Sequence, residues 1–215
     1  MVESSSIVFV VHEDISVRES LEFLIRKHGW HPGTFTSAHE FLVRPRLLSP
    51  SCLVLDFSLP GLNGLEIQKR VAVEMPYMPI IFLTGFGDIP MTVRAMKAGA
   101  VESLTKPVSN ESLLSAIRNA IERSRGKLDS ETELGALRAR FATLTARERQ
   151  VMKLVISGIL NKQVGDELGI TEITVKFHRG NLMRKMKADS LAELVNMATR
   201  LRLTQSFKSK APAVL

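Results

Sequence analysis

Asp56 follows an apolar run, Cys52–Leu55, and precedes a loop punctuated by Pro60, Gly61, Asn63 and Gly64. A carboxylate at the end of a buried strand stands at the rim of a sheet. There it can attack phosphorus and form an acyl phosphate. That chemistry needs a divalent cation to neutralise phosphoryl charge and carboxylates to hold it. Glu13 and Asp14, just beyond the apolar run Ile7–Val11, are the nearby acids. Thr84 ends a third run, Ile80–Leu83, and can hydrogen-bond to a phosphoryl oxygen. Lys106, after a short run around Leu104 and before Pro107, can pair with its charge. The competing reading makes Asp56 a simple cap of the turn that follows it.

A second set of residues suits a polyanion. Lys176, Arg179 and Gly180 fall roughly opposite the apolar positions Val175, Leu182 and Met186 of one helix, with Met183 and Arg184 further on. Lys176 and Arg179 can reach base edges or phosphates in a major groove about 12 Å wide. Gly180 would let the helix approach the groove floor, and Phe177 either touches a thymine methyl group or belongs to the core. Lys162 and Gln163 open the preceding helix, whose N-terminal N–H groups favour phosphate. Arg184, Lys185 and Lys187 are phosphate candidates, against a reading of them as a solvated basic face.

The elements that position these groups differ between the two halves. In the first, apolar strand runs alternate with helical stripes such as Val17, Leu21, Leu24 and Ile25. Such alternation implies a parallel sheet covered on both faces, with ligands at the carboxyl ends of the strands. From Leu144 the chain reads as all-helical. Thr145 and Glu148 form a capping-box pattern, Gly158 and Gly169 end helices, and Thr171 caps a longer one. A short helix, a turn and a longer helix at this spacing make a helix-turn-helix. We read residues 1–122 as one domain, 123–142 as a linker partly helical near Leu134–Phe141, 143–206 as a DNA-binding domain and 207–215 as a tail.

Charge follows the same division. Residues 1–122 carry 11 Lys and Arg against 13 Asp and Glu, and residues 123–215 carry 18 against 9. Only the second half is thus suited to meet nucleic acid. The single Cys excludes a disulfide framework or a Cys-based zinc site. Ile7–Val11 is too short for the apolar region of a signal peptide, and no apolar run approaches the length of a membrane span. A cytoplasmic protein without membrane attachment is expected.

The text VFVVHEDISVRESLEFL, LVLDFSLPGLNGLEIQ, IIFLTGFGDIPMTVRAMKAGAVESLTKP and LTARERQVMKLVISGILNKQVGDELGITEITVKFHRGNLMRKM resembles the two-component response regulators of the FixJ/NarL type. The resemblance implies an α/β fold, a doubly wound (βα)5 receiver, followed by an all-α four-helix LuxR-type helix-turn-helix domain. It makes Asp56 the phosphoacceptor, Thr84 and Lys106 phosphoryl-binding residues, and Glu13, Asp56 and the Ser58 backbone carbonyl the Mg²⁺ ligands. The Lys106–Pro107 bond is expected to be cis. The last helix, with Leu191, Leu194, Val195 and Ala198, is expected to make a homodimer contact on double-stranded DNA. A sensor histidine kinase is the implied phosphate donor and RNA polymerase a further candidate partner.

Two residues depart from the family. His12 stands where an acidic residue is usual, which should weaken Mg²⁺, since imidazole is a poor ligand for a hard cation. Ser103 stands where an aromatic ring usually reports phosphorylation, with Phe86 as a substitute ring. The alternative they suggest is a transcription regulator with a degenerate receiver that acts independently of phosphate. An aspartyl-phosphate hydrolase would need a substrate-binding cap, for which no segment is available, so no enzyme is expected.

Overall fold

The computed structural model describes residues 6–59, 64–85 and 89–203. They fall into two compact units that divide between Asp129 and Ser130.

In the first unit five parallel strands are β1 (Ile7–Val11), β2 (His31–Phe35), β3 (Ser51–Asp56), β4 (Ile80–Thr84) and β5 (Glu102–Thr105), in the order β2-β1-β3-β4-β5. Between and after them run α1 (Ile15–Lys27), α2 (Ala38–Val43), α3 (Gly64–Glu74), α4 (Ile89–Lys97) and α5 (Asn110–Ala142). Successive strand residues point to opposite faces, and both faces are apolar. Phe9, Val11, Leu53, Leu55 and Phe82 pack with Phe41, Ile67, Val71 and Ala95 from α2, α3 and α4. Val8, Val10, Cys52, Val54, Ile81 and Leu83 pack with Ile25, Leu113, Ile117 and Ile121 from α1 and α5. Each large side chain buried this way stabilises the unit by about 1.5–3 kcal/mol. Cys52 is buried in the second of these layers, and burial pushes its thiol pKa up, out of the reactive range.

Local pattern marks four of the strands and leaves β2 to the family resemblance, because its sequence, HPGTF, contains Pro and Gly. As an edge strand, β2 tolerates Pro32, whose missing N–H breaks no interior ladder. Residues 123–142 are a second difference. Their sequence predicts a linker partly helical near Leu134–Phe141, whereas they continue α5 as one 33-residue helix. The segment contains no Pro, and its Leu, Arg, Glu and Ala residues favour helix over the cost of Gly126 and Gly135. Ser124 is buried in the first unit and accepts from the Ser51 N–H at 2.9 Å, while Leu137 belongs to a core of the second.

The second unit adds α6 (Ala146–Ile156), α7 (Asn161–Leu168), α8 (Glu172–Met186) and α9 (Leu191–Arg200). Thr145 caps α6 through the expected capping box with Glu148. Gly169 ends α7 in the left-handed region at φ 64°. Gly165 fixes the turn between α7 and α8, since a Cβ there would lie 2.7 Å from the Ile170 carbonyl oxygen. Val151, Val155, Val164 and Val175 close the core around that turn.

Candidate functional site

In the first unit the strand ends bring Asp56, His12, Thr84 and Lys106 to one rim of the sheet. Asp56 is 3% exposed, so its charge must be met by protein groups. Its Oδ2 accepts from the Lys106 ammonium at 2.8 Å and lies 3.1 Å from His12 Nε2. Its Oδ1 accepts from the Ser58 N–H at 3.1 Å. Thr84 is buried at the end of β4, its hydroxyl 3.4 Å from the Leu104 carbonyl. Lys106 donates its backbone N–H to the Thr84 carbonyl at 2.8 Å, and the Lys106–Pro107 bond is cis as expected.

His12 is a hydrogen-bond donor to the acceptor carboxylate. Its Nδ1 accepts from the Asp14 N–H at 3.1 Å, which assigns the proton of the neutral ring to Nε2, facing Asp56. Burial lowers the imidazole pKa, Asp56 opposes that, and Lys106, 3.2 Å from Nε2, adds to it. The ring is therefore neutral at pH 7, and the ion pair of the pocket is Lys106 with Asp56. A protonated Nε2 cannot ligate a cation. Asp14 is also taken, since its Oδ1 caps α1 by accepting from Ser16 N–H (2.8 Å) and Val17 N–H (3.3 Å). Glu13 and Ser58 are exposed beside the pocket. Arg18, not foreseen, holds this loop with hydrogen bonds of 2.7 Å to the His12 and Glu13 carbonyls. Among the described residues no group of three His, Cys, Asp or Glu side chains is arranged to hold a metal ion. Ser103 Oγ lies 3.5 Å from Thr92 Oγ1, tying β5 to α4 through hydroxyls instead of a ring. Phe86 lies outside the described residues.

In the second unit α8 buries Val175, Leu182 and Met186 and exposes the opposite face. Lys176 is exposed, with a 2.9 Å pair to Glu172 one turn away. Such an exposed pair is weak and exchanges readily for a phosphate. Phe177 is 65% exposed, which decides between its two readings: it is not core. Gly180 and Arg184 are exposed on the same side, Arg184 bonded to Asn181 Oδ1 at 3.0 Å, and Lys162 is exposed near the start of α7.

Four of the expected contact residues have other roles here. Arg179 is half-buried and donates to Asn161 Oδ1 at 3.1 Å, linking α8 to the first residue of α7. Lys185 pairs with the buried Glu148 at 2.7 Å and so braces the cap of α6. Leu194 and Ala198, expected in a dimer contact, are both 0% exposed in the unit's own core with Leu182 and Met186. A side chain without exposed surface cannot meet a partner unless the core opens. Leu191 and Val195 keep partial exposure. Helical periodicity places such residues on a stripe but does not say which neighbour covers it.

Glu148 carries a pH dependence. Burial raises its pKa, but the Lys185 ammonium and the hydrogen bonds from Lys185 and Thr145 outweigh this and hold the carboxyl below its ordinary 4.5. A depressed folded value means that stability is fully present above 4.5 and is lost as pH falls through the lowered value. Glu148→Gln should remove this acid-sensitive component and cost about 1–3 kcal/mol at pH 7. Urea unfolding across acid pH measures both; an unchanged pH profile in the variant would assign the acid sensitivity elsewhere.

Residues 8–118 match the family described as response regulator receiver domain. Residues 142–198 match the bacterial regulatory proteins of the luxR family. The chain is a response regulator of the FixJ/NarL type. The regulator is 49% identical over 201 residues to nodulation protein W of Bradyrhizobium diazoefficiens, covering 94% of this chain and 88% of that one. It is 42% identical over 202 residues to response regulator protein TmoT of Ectopseudomonas mendocina, covering 94% and 92%. Among solved structures, the response regulator StyR aligns with TM-score 0.81 and 44% identity over 91% of this chain and 99% of its own. Full-length FixJ from B. japonicum aligns with TM-score 0.55 and 39% identity over 92% and 97%. The regulator is a two-component, DNA-binding transcription factor and not an enzyme. Its two domain types imply DNA and a sensor kinase as partners, and receiver domains bind Mg²⁺ at acidic residues. Among the described residues no helix is long and apolar enough to cross a membrane.

Proposed function

We propose that a sensor histidine kinase in the cytoplasm phosphorylates Asp56, and that this controls self-association and DNA binding by the helical domain at about 143–206. The observation that carries the reading is the pocket itself: one buried carboxylate at a strand end, paired with Lys106 at 2.8 Å and flanked by Thr84. The Asp56 oxygen attacks the phosphorus of the kinase's phosphohistidine, the P–N bond breaks and the imidazole leaves, taking a proton from solvent, while the Lys106 ammonium follows the charge onto the phosphoryl oxygens and the Thr84 hydroxyl donates to one of them. The donor chemistry fits Mg²⁺, which is commonly held by one or two carboxylates together with water and phosphate oxygens. Asp56, Glu13 and the Ser58 carbonyl would hold it, and bound there it would neutralise phosphoryl charge. His12 offers an N–H in place of a further carboxylate, so the affinity is weakened. Lys176, Phe177, Gly180, Arg184 and Lys162 face the DNA, with Arg179 and Lys185 supporting them. Leu191 and Val195 are the dimer candidates that remain on α9, and RNA polymerase is a further partner on promoter DNA.

Treating the full chain with phosphoramidate and Mg²⁺ should add the mass of one phosphoryl group and tighten binding to one selected DNA sequence. Unchanged mass together with unchanged affinity would overturn the reading. His12→Asp should tighten Mg²⁺ binding by about tenfold, read by direct titration of the unphosphorylated protein; an unchanged affinity would place the ion away from residue 12.

A further inference from the structure

The centre of the outward face of α8 is apolar. Ile173 is 79% exposed and Phe177, one turn later, is 65% exposed. They lie on one line with Gly180 and Arg184 and beside Lys176, at i, i+4, i+7, i+11 and i+3, opposite the buried Val175, Leu182 and Met186. Two large apolar side chains left in water on a helix this short, flanked by cations, point to a partner that is anionic yet carries small apolar groups. Residues 123–215 hold 18 Lys and Arg against 9 Asp and Glu. Duplex DNA meets both conditions. Its phosphates match the charge, and the thymine C5-methyl is the apolar group on the base edges of the major groove. Residues in the N-terminal part of a recognition helix reach those edges, and Ile173 is the second residue of α8. Gly180 has nothing within 4 Å of where a Cβ would stand, leaving a bare strip along which the helix can approach closely.

We infer that Ile173 and Phe177 are specificity-determining residues that read thymine methyl groups, so that each half-site of the operator requires thymine at one or two fixed positions. The inference rests on the DNA-binding reading of α8 and deepens it. Lys176 and Arg184 anchor the helix on the phosphates or on purine acceptors, while the apolar pair selects thymine over cytosine.

The test uses the full chain, treated with phosphoramidate and Mg²⁺, and an operator obtained from it by selection among random duplexes. Each thymine of the half-site is then replaced in turn by deoxyuridine, which removes the methyl group and leaves base pairing intact. At one or two positions wild-type affinity should fall about fourfold, the worth of one buried methyl group. Ile173→Ala and Phe177→Ala should each bind the thymine operator more weakly and lose the penalty at one of those positions. Both side chains are exposed, so circular dichroism should show unchanged folding. Deoxyuridine tolerated at every position, or a penalty that survives in both variants, overturns the inference while leaving DNA binding standing. Variants with wild-type DNA affinity but altered self-association would assign the face to a protein contact and overturn it equally. Failure to enrich any sequence would overturn the DNA-binding reading itself and the inference with it.

Discussion

Asp56→Asn should gain no phosphoryl group from phosphoramidate under conditions that modify the wild-type chain, and its DNA affinity should not respond to the donor. The amide keeps the shape of the carboxylate and an oxygen for the His12 Nε2–H. It removes the charge that Lys106 meets at 2.8 Å and with it the anionic oxygen that would attack phosphorus. The loss is therefore complete rather than graded, because a nucleophile has been removed and not merely weakened. The Lys106 side chain is 36% exposed, so its freed ammonium can turn toward water and the unit should stay folded. Intact-protein mass and operator affinity, measured with and without donor, decide the matter. A variant that still gains one phosphoryl group has its acceptor elsewhere; a variant that loses the mass gain yet binds DNA in step with added donor has a receiver that does not signal through phosphate.

Leu194→Ala should destabilise the second unit by about 2–5 kcal/mol, the range for a fully buried Leu. Its side chain is 0% exposed among Leu137, Leu144, Met152, Leu182, Met186 and Ala198, so truncation opens a cavity beneath α8. Hydrogen exchange of the amides in α8 and α9 of the full chain, at two protein concentrations, reads the effect locally. A core residue gives the same loss of protection at both concentrations. If protection is lost only where the wild type self-associates, Leu194 belongs to an interface. Val195→Ala, at a half-buried position, should leave the protection nearly unchanged.

Much of the fold was legible because it rests on local pattern. Apolar strand runs, the Thr145–Glu148 capping box and Gly169 act over a few residues, and the structure carries each where the sequence places it. The edge strand β2 escaped periodicity, since its pairing depends on a neighbour 24 residues away, Ile7 with His31. Residues 123–142 read as a linker because of their charge, Ser and Gly content, yet their Leu, Arg, Glu and Ala outweigh Gly126 and Gly135 and carry the helix through. Within the pocket, residue type announced Asp56, Thr84 and Lys106, and His12 was visible as a departure. The ring's orientation was not, because it depends on which nitrogen meets the Asp14 N–H.

The two domain types, a carboxylate closing an apolar strand at Asp56 and the basic character of the helical half could all be read from the chain alone. These follow from residue identity, order and spacing along the chain. What each side chain faces came from the packing of the folded chain. That packing showed His12 as a donor to Asp56 and Asp14 as a cap. It turned Lys185 and Arg179 into braces, and Leu194 and Ala198 into core. It left Ile173 and Phe177 in solvent. The physical reason is that burial and hydrogen-bond partnership arise from groups far apart in the chain, whereas helical and strand periodicity fixes only the direction in which a side chain leaves the backbone.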